Sequence, residues 1–333
     1  MKLWTEKHSW HKKDAHKKAE SLDRTKVKKI AVIRHAALGD MFLIRPMLIT
    51  LKEAFPNAEL TLSVVSNYMV GIPMDLIDHV HVMKGNEKKY SLKESIASAK
   101  ELGYQDIIFN VTSTSRSYWV TKLNPAALKI GYMLYGINRF LYDIAIPRAN
   151  YRFESEALLE QVNILGIKND WPLKFNYPMP EKPARKNYVI YFATASTPDK
   201  CWPFDSMAKL IKSACKQFPG KEHILISGIA DWERKISDDI SKQVGAHSNF
   251  SYLESTKDDF ALVCHADALV VNDTGLRNLG IAAYTPTVCF FPVAHNAFRY
   301  QPYFGNHEIV MADDNGPASV EKAEQALEAV LKK

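Results

Sequence analysis

From residue 28 onward, short runs rich in Val and Ile alternate with longer stretches of helical spacing. This alternation restricts the chain to a parallel α/β architecture. The runs KIAVIRHA, AELTLSVV, DHVHVMKG, QDIIFNV and ALKIGYM are brief and bounded by turn residues, as strands are. Between them, MFLIRPMLITLKEAF and SLKESIASAKEL place apolar residues three and four apart, the period of an amphipathic helix. Strand and helix in alternation imply a parallel sheet covered on both faces. Residues 166–187, GIKNDWPLKFNYPMPEKPARKN, break the rhythm with four prolines and many polar residues, as a linker does. The alternation then resumes from YVIYFAT to TPTVCFF and closes on the helix pattern SVEKAEQALEAVLKK. Two doubly wound α/β domains in tandem are expected, at 30–165 and 188–315, with a final helix in 316–333. A cleft between them is the natural place for a ligand.

Charge sets the first 29 residues apart. They hold ten Lys or Arg and four Asp or Glu, and so carry the whole net charge of +6, while the other 304 residues balance to zero. A basic arm attracts nucleic acid, but a charge-neutral body argues against that partner. Trp4 and Trp10 stand among the lysines, and Trp favours membrane–water interfaces, so an anionic membrane surface is the other candidate for 1–29, with a solvated tail of equal standing. No segment reaches the roughly 18 unbroken apolar residues of a spanning helix. The N-terminus lacks the apolar core of a secretory signal, which implies a cytoplasmic location. Cys201, Cys215, Cys264 and Cys289 have no CxxC spacing and read as small buried hydrophobes in a reducing compartment.

Open α/β sheets bind ligands beyond the carboxyl ends of their strands, and two such junctions are chemically unusual here. HAALGD (35–40) and NDTGLRN (272–278) match neither G-x-G-x-x-G nor the P-loop, which weakens simple NAD binding or ATP-phosphate cradling. At the second junction, Asp273 or Thr274 can cap a helix while Gly275 lets an anion approach the amides, a plausible diphosphate seat or merely good capping chemistry. The loop ATASTPDKCW offers Thr194, Ser196 and Thr197 as donors and Lys200 as a point charge suited to phosphate. After ISG, Asp231 and Glu233 stand where an acid can accept from ribose hydroxyls, although first-turn acids also complement the helix dipole.

Taken together, VIRHAALGDMFLIRPMLITLKEAFPNAELTL, IIFNVTSTSRSYW, KCWPFDSMAKL, ILISGIADWER and VVNDTGLRNLGIAAYTPTVCFF resemble glycosyltransferase family 9, the ADP-heptose:lipopolysaccharide heptosyltransferases, over residues 28–315. The resemblance implies the GT-B architecture, two Rossmann-like domains facing across a cleft, and no metal or other cofactor. It gives Asp40 the role of catalytic base toward an acceptor sugar hydroxyl, with inversion at the donor's anomeric carbon. Lys200, Thr194 and the amides of 274–276 would stabilise the leaving nucleoside diphosphate. Gly39, Arg34, Arg45, Arg116 and Lys122 fall on the acceptor side, where the cations would meet acceptor phosphates. The chain departs from the family pattern at Asn278, where His is usual, and at Pro292, where Gly is usual. The expected function is transfer of a sugar, heptose from ADP-heptose first, to a lipid-linked core acceptor at the inner face of the membrane. Its rivals are another nucleotide sugar and a non-catalytic binding relative. Retention of Asp40 together with Lys200 favours the enzyme.

Overall fold

The computed structural model describes residues 8–256, 258–292, 294–313 and 316–332, so that Trp4 lies outside the described residues. The chain forms two compact units that divide between Phe175 and Asn176, inside the proline-rich stretch.

In the N-terminal unit the elements run β1 (Trp10–His11), α1 (Ala15–Glu20), β2 (Lys29–Ile33), α2 (Leu38–Leu43), α3 (Arg45–Ala54), β3 (Glu59–Val65), β4 (His79–Met83), α4 (Leu92–Lys100), β5 (Gln105–Asn110), α5 (Ser115–Leu123), β6 (Ala126–Tyr132), β7 (Ile144–Ile146) and α6 (Glu154–Asn163). Its sheet has the order β1-β7-β6-β5-β2-β3-β4, parallel except where β1 pairs antiparallel with β7. Without β1 this is the 3-2-1-4-5-6 order of a doubly wound fold, with the reversal between β2 and β5. All of β2 after Lys29 is buried, as a central strand covered on both faces requires. Ala31, Ile33, Val65, Ile108 and Val120 share one side of the core.

The basic arm is a correction to the expectation of a separate appendage. Its described part is built into the unit: Trp10 pairs with Ala145, Ala15 and Ala19 are buried, and Lys12 bonds Asp143 at 2.9 Å. The small side chains of α1 let it lie close on the unit, which sequence charge alone does not reveal.

In the C-terminal unit the elements are β8 (Tyr188–Phe192), α7 (Phe204–Gln217), β9 (Glu222–Ile226), α8 (Asp231–Val244), β10 (Phe250–Leu253), α9 (Asp259–Cys264), β11 (Ala268–Asn272), α10 (Gly275–Ala282), β12 (Thr287–Phe291), α11 (Ala294–Tyr300), β13 (His307–Met311) and α12 (Val320–Lys332). All neighbours in the sheet β10-β9-β8-β11-β12-β13 are parallel, again in the 3-2-1-4-5-6 order, with the reversal between β8 and β11. The helix expected in 316–333 is α12, and it shares this unit's core through Ala323, Leu327 and Val330. Gly280 of α10 lies so close to the sheet that a Cβ there would stand 3.0 Å from Thr287 and 3.2 Å from Leu269. That contact presses α10 onto β11 and β12. The cysteines are unbridged, and Cys215, Cys264 and Cys289 are buried. No helix among the described residues is long and apolar enough to cross a membrane.

Candidate functional site

Asp40 stands just past β2, at the reversal of strand order in the N-terminal unit. It does not cap the helix that follows. Ala37 occupies that position in extended conformation, and Gly39 and Asp40 already belong to the first turn of α2. What holds Asp40 is Arg34, whose Nη2 donates to Oδ1 at 2.7 Å. The same nitrogen donates to Glu154 at 2.8 Å, and Arg148 donates to both Glu154 oxygens at 2.7 Å. Two cations and two carboxylates thus alternate along one line, Asp40, Arg34, Glu154 and Arg148. Arg34 and Glu154 are 3% and 1% exposed, whereas Asp40 is 19% exposed and so open to a substrate. Burial alone would lower the pKa of Arg34, but Asp40 and Glu154 outweigh it and raise the value. Removing Arg34 would leave Asp40 without its cation and buried Glu154 with Arg148 alone.

Three acceptor-side expectations fail here. Arg34 is spent on this network. Arg45 is 2% exposed, donating from Nε to the Phe175 carbonyl at 2.7 Å and as a fork to Asp75. Lys122 is exposed in the last turn of α5, and because α5 returns from β5 to β6, that turn lies at the opposite edge of the sheet from Asp40. Arg116, in the first turn of α5, does lie at the carboxyl edge and donates to the Gly85 carbonyl and to Asn86.

Beside Arg34, His35 begins a buried relay. The Ser98 carbonyl can only accept, so His81 Nε2 carries a proton toward it at 2.8 Å. His81 Nδ1 then accepts from the Ser63 hydroxyl at 2.7 Å, and Ser63 accepts from His35 Nε2 at 3.1 Å. This order leaves His35 Nδ1 as an acceptor with no protein partner. Burial, with His81 and Arg116 nearby, pushes the His35 pKa down to about 3, so the ring is neutral.

In the C-terminal unit the loops after β8 and β11 flank the reversal. Asn272, fully buried at the end of β11, accepts from the Trp202 amide at 2.8 Å and donates to the Ala193 carbonyl at 2.7 Å. One amide side chain therefore fastens both ends of the 194–201 loop to the neighbouring strand. Trp202 is fixed further by Nε1 donating to the Ala318 carbonyl at 2.9 Å and by stacking on Phe290. Thr194 is buried, and its hydroxyl has no partner; Ser196 and Thr197 are exposed, and Lys200 Nζ lies 3.5 Å from Ser196 Oγ.

Thr274 precedes α10 without capping it, since its hydroxyl is also buried and unpartnered. The first-turn amides at Gly275 and Leu276 therefore receive no side-chain cap. Burial raises the pKa of Asp273, against the opposing charges of Arg277 and Lys200. Lys200 and the β11–α10 junction thus share one field. Asn278 is 7% exposed and meets Arg277. Arg277 is wholly buried, donating to Gln301 at 2.7 Å and to the Tyr300 carbonyl, with its guanidinium over the Phe291 ring.

Of the two acids after β9, Glu233 accepts from the Ala230 amide at 2.9 Å and so serves the helix end, while Asp231 is fully exposed. Sequence reasoning missed Glu154, Arg277, Asn272 and the His35 relay. An Asn ending an apolar strand is a signal that could have found one of them.

The glycosyltransferase family 9 (heptosyltransferase) model matches residues 151–330, more than half of the chain. The chain belongs to glycosyltransferase family 9. It is a glycosyltransferase of the GT-B class, in a heptosyltransferase family of lipopolysaccharide biosynthesis. Lipopolysaccharide heptosyltransferase 3 of Escherichia coli strain K12 is 22% identical over 292 residues, covering 80% of this chain and 83% of that protein. Among solved structures, E. coli heptosyltransferase WaaC with ADP-2-deoxy-2-fluoro heptose has a TM-score of 0.75 at 17% identity, over 90% of this chain and 99% of that one. The family 9 glycosyl transferase from Veillonella parvula has a TM-score of 0.72 at 17% identity, over 93% and 99%. At these identities the structural likeness speaks for the family 9 fold, and the side chains above must speak for the chemistry.

Proposed function

We propose that this protein transfers heptose from ADP-heptose, with inversion and without a metal, to a sugar hydroxyl of a lipid-linked lipopolysaccharide-core acceptor at the cytoplasmic face of the membrane. The observation that carries the reading is Asp40: a partly exposed carboxylate, oriented by a buried arginine, at the carboxyl edge where the strand order reverses. A group that only binds sugar has no need of so costly a support. Asp40 takes the acceptor hydroxyl proton as that oxygen attacks the anomeric carbon. The bond from that carbon to the β-phosphate oxygen breaks, and its electron pair leaves with ADP. Lys200 and the amides at the start of α10 meet the charge that develops. The unpartnered hydroxyls of Thr194 and Thr274, on neighbouring strand ends, are donors suited to the same diphosphate. Glu154 offsets the charge of Arg34, so Arg34 orients the base without adding a lone cation beside it. The E. coli relative bound to an ADP-heptose analogue, and again to ADP, supports the choice of donor.

The test is Asp40→Asn. Stabilisation by ADP should persist in thermal melts, while turnover of ADP-heptose should fall by roughly 10²–10⁴-fold, the usual share of general acid–base catalysis. Wild-type turnover in this variant would remove Asp40 from the reaction.

A further inference from the structure

We infer that a cavity at the amino edge of the N-terminal sheet is a second binding site, which takes a small aliphatic diamine or polyamine. Its volume is about 410 Å³, within the usual range for a small-molecule site. Lys29, Glu59, His79 and Gln105, the first residues of β2, β3, β4 and β5, all line it. Asp40 follows the carboxyl end of β2, so the cavity lies at the other end of the strands from the proposed reaction. Its ligand is therefore neither the donor nor the acceptor of that reaction.

A buried acceptor in the wall separates this cavity from an ordinary surface hollow. Gln105 is 4% exposed, and its Nε2 donates to the Leu102 carbonyl at 2.9 Å. A carbonyl can only accept, so that bond fixes which way the amide points and leaves Oε1 buried with no partner among the described residues. Such an orphan is costly, and a ligand that donates to it recovers the loss.

Charge selects the kind of donor. Among the described residues the wall carries two carboxylates, Glu59 and Glu101, against the ammonium of Lys29. Both acids are exposed, and Glu59 uses one of its two oxygens to meet His79 at 3.2 Å. Negative charge beside a free acceptor favours a cation, and an ammonium with three protons can serve a carboxylate and an amide oxygen together. Val80, Val82 and Leu102 add an aliphatic stretch that suits methylene groups. In the order β5-β2-β3, Gln105 and Glu59 begin strands about 10 Å apart, two strand spacings. One ammonium does not reach both, but two joined by a short methylene chain do.

Calorimetric titration of the full chain with putrescine and with spermidine tests the inference. 1,4-Butanediol, which keeps the length of putrescine without its charge, is the control. The amines should bind saturably, and the diol about tenfold more weakly or worse. Gln105→Leu, and separately Glu59→Gln with Glu101→Gln, should each weaken the amines by about tenfold or more, the loss of a hydrogen bond to a charged group. Thr61, partly exposed and two residues along β3 from Glu59, shares its side of the strand and also lines the cavity. Thr61→Phe should therefore narrow the cavity and remove binding, and far-UV circular dichroism identifies any variant that has failed to fold. Amine affinity equal to wild type in the folded double acid variant and in Thr61→Phe would overturn the site, as would the lack of saturable binding of either amine to wild type. Equal affinity for the diol would overturn the choice of a cation.

Discussion

Arg34 shows how one side chain can carry a sequence signal and a different job. A cation beside a carboxylate junction reads as an anion receptor, yet its 3% exposure and two carboxylate partners make it the support of Asp40, the proposed base. Its neighbour His35 has a consequence that titration reads. Its folded pKa of about 3 lies below the ordinary 6.5, so between those values the unfolded chain binds a proton that the folded chain refuses. Stability from this group is complete above pH 6.5 and is lost as pH falls toward 3, at about 1.4 kcal/mol per pH unit. His307, half-buried and also pushed down to about 3 by desolvation, adds to the same window. Urea unfolding should show a lower midpoint at pH 5 than at pH 7, and His35→Gln, which keeps a donor for Ser63 without titrating, should shrink the difference. An undiminished difference in that variant would put the titration elsewhere.

Among the elements, β11 matters less for its apolar run than for the polar residue that ends it. Asn272 holds both the Trp202 amide and the Ala193 carbonyl, so the loop carrying Thr194 and Lys200 takes its place from a neighbouring strand and not from its own sequence. Asn272→Leu keeps the volume and strands both partners, at about 1–3 kcal/mol for each group left unsatisfied. The expected outcome is a lower melting temperature together with a raised KM for the donor and a smaller change in kcat. A stability loss with unchanged KM would confine Asn272 to the core. Capping follows the same logic. Glu233 serves the α8 terminus, whereas α10 has no side-chain cap, a lack it shares with α7 and α9, so it is the loop that Asn272 holds beside it that sets the α10 terminus apart.

For the whole molecule, each unit is a doubly wound sheet, and the arm belongs to the first of them. Removal of residues 1–22 takes away β1 and the buried Ala15 and Ala19 of α1, and it leaves the β7 edge unpaired. That truncation should lower thermal stability and promote aggregation. Differential scanning fluorimetry with size-exclusion chromatography checks both. Stability equal to that of the full chain would make the β1–β7 pairing dispensable.

The sequence by itself determined the alternation of strands and helices, the two-domain plan, the linker region and the junctions at Asp40, Lys200 and Thr274. These are local properties, written in hydrophobic period and turn chemistry. It missed β1, β7 and β13, which are short or lie at sheet edges, where the apolar signal is weak. Only the tertiary structure decided the order of the strands. That order places Asp40, and the paired Thr194 and Thr274 loops, at the reversals of the two sheets. It also decided which charges are free. Arg45 lies 30 residues from Asp75, and no spacing rule reaches across 120 residues to pair Arg34 with Glu154.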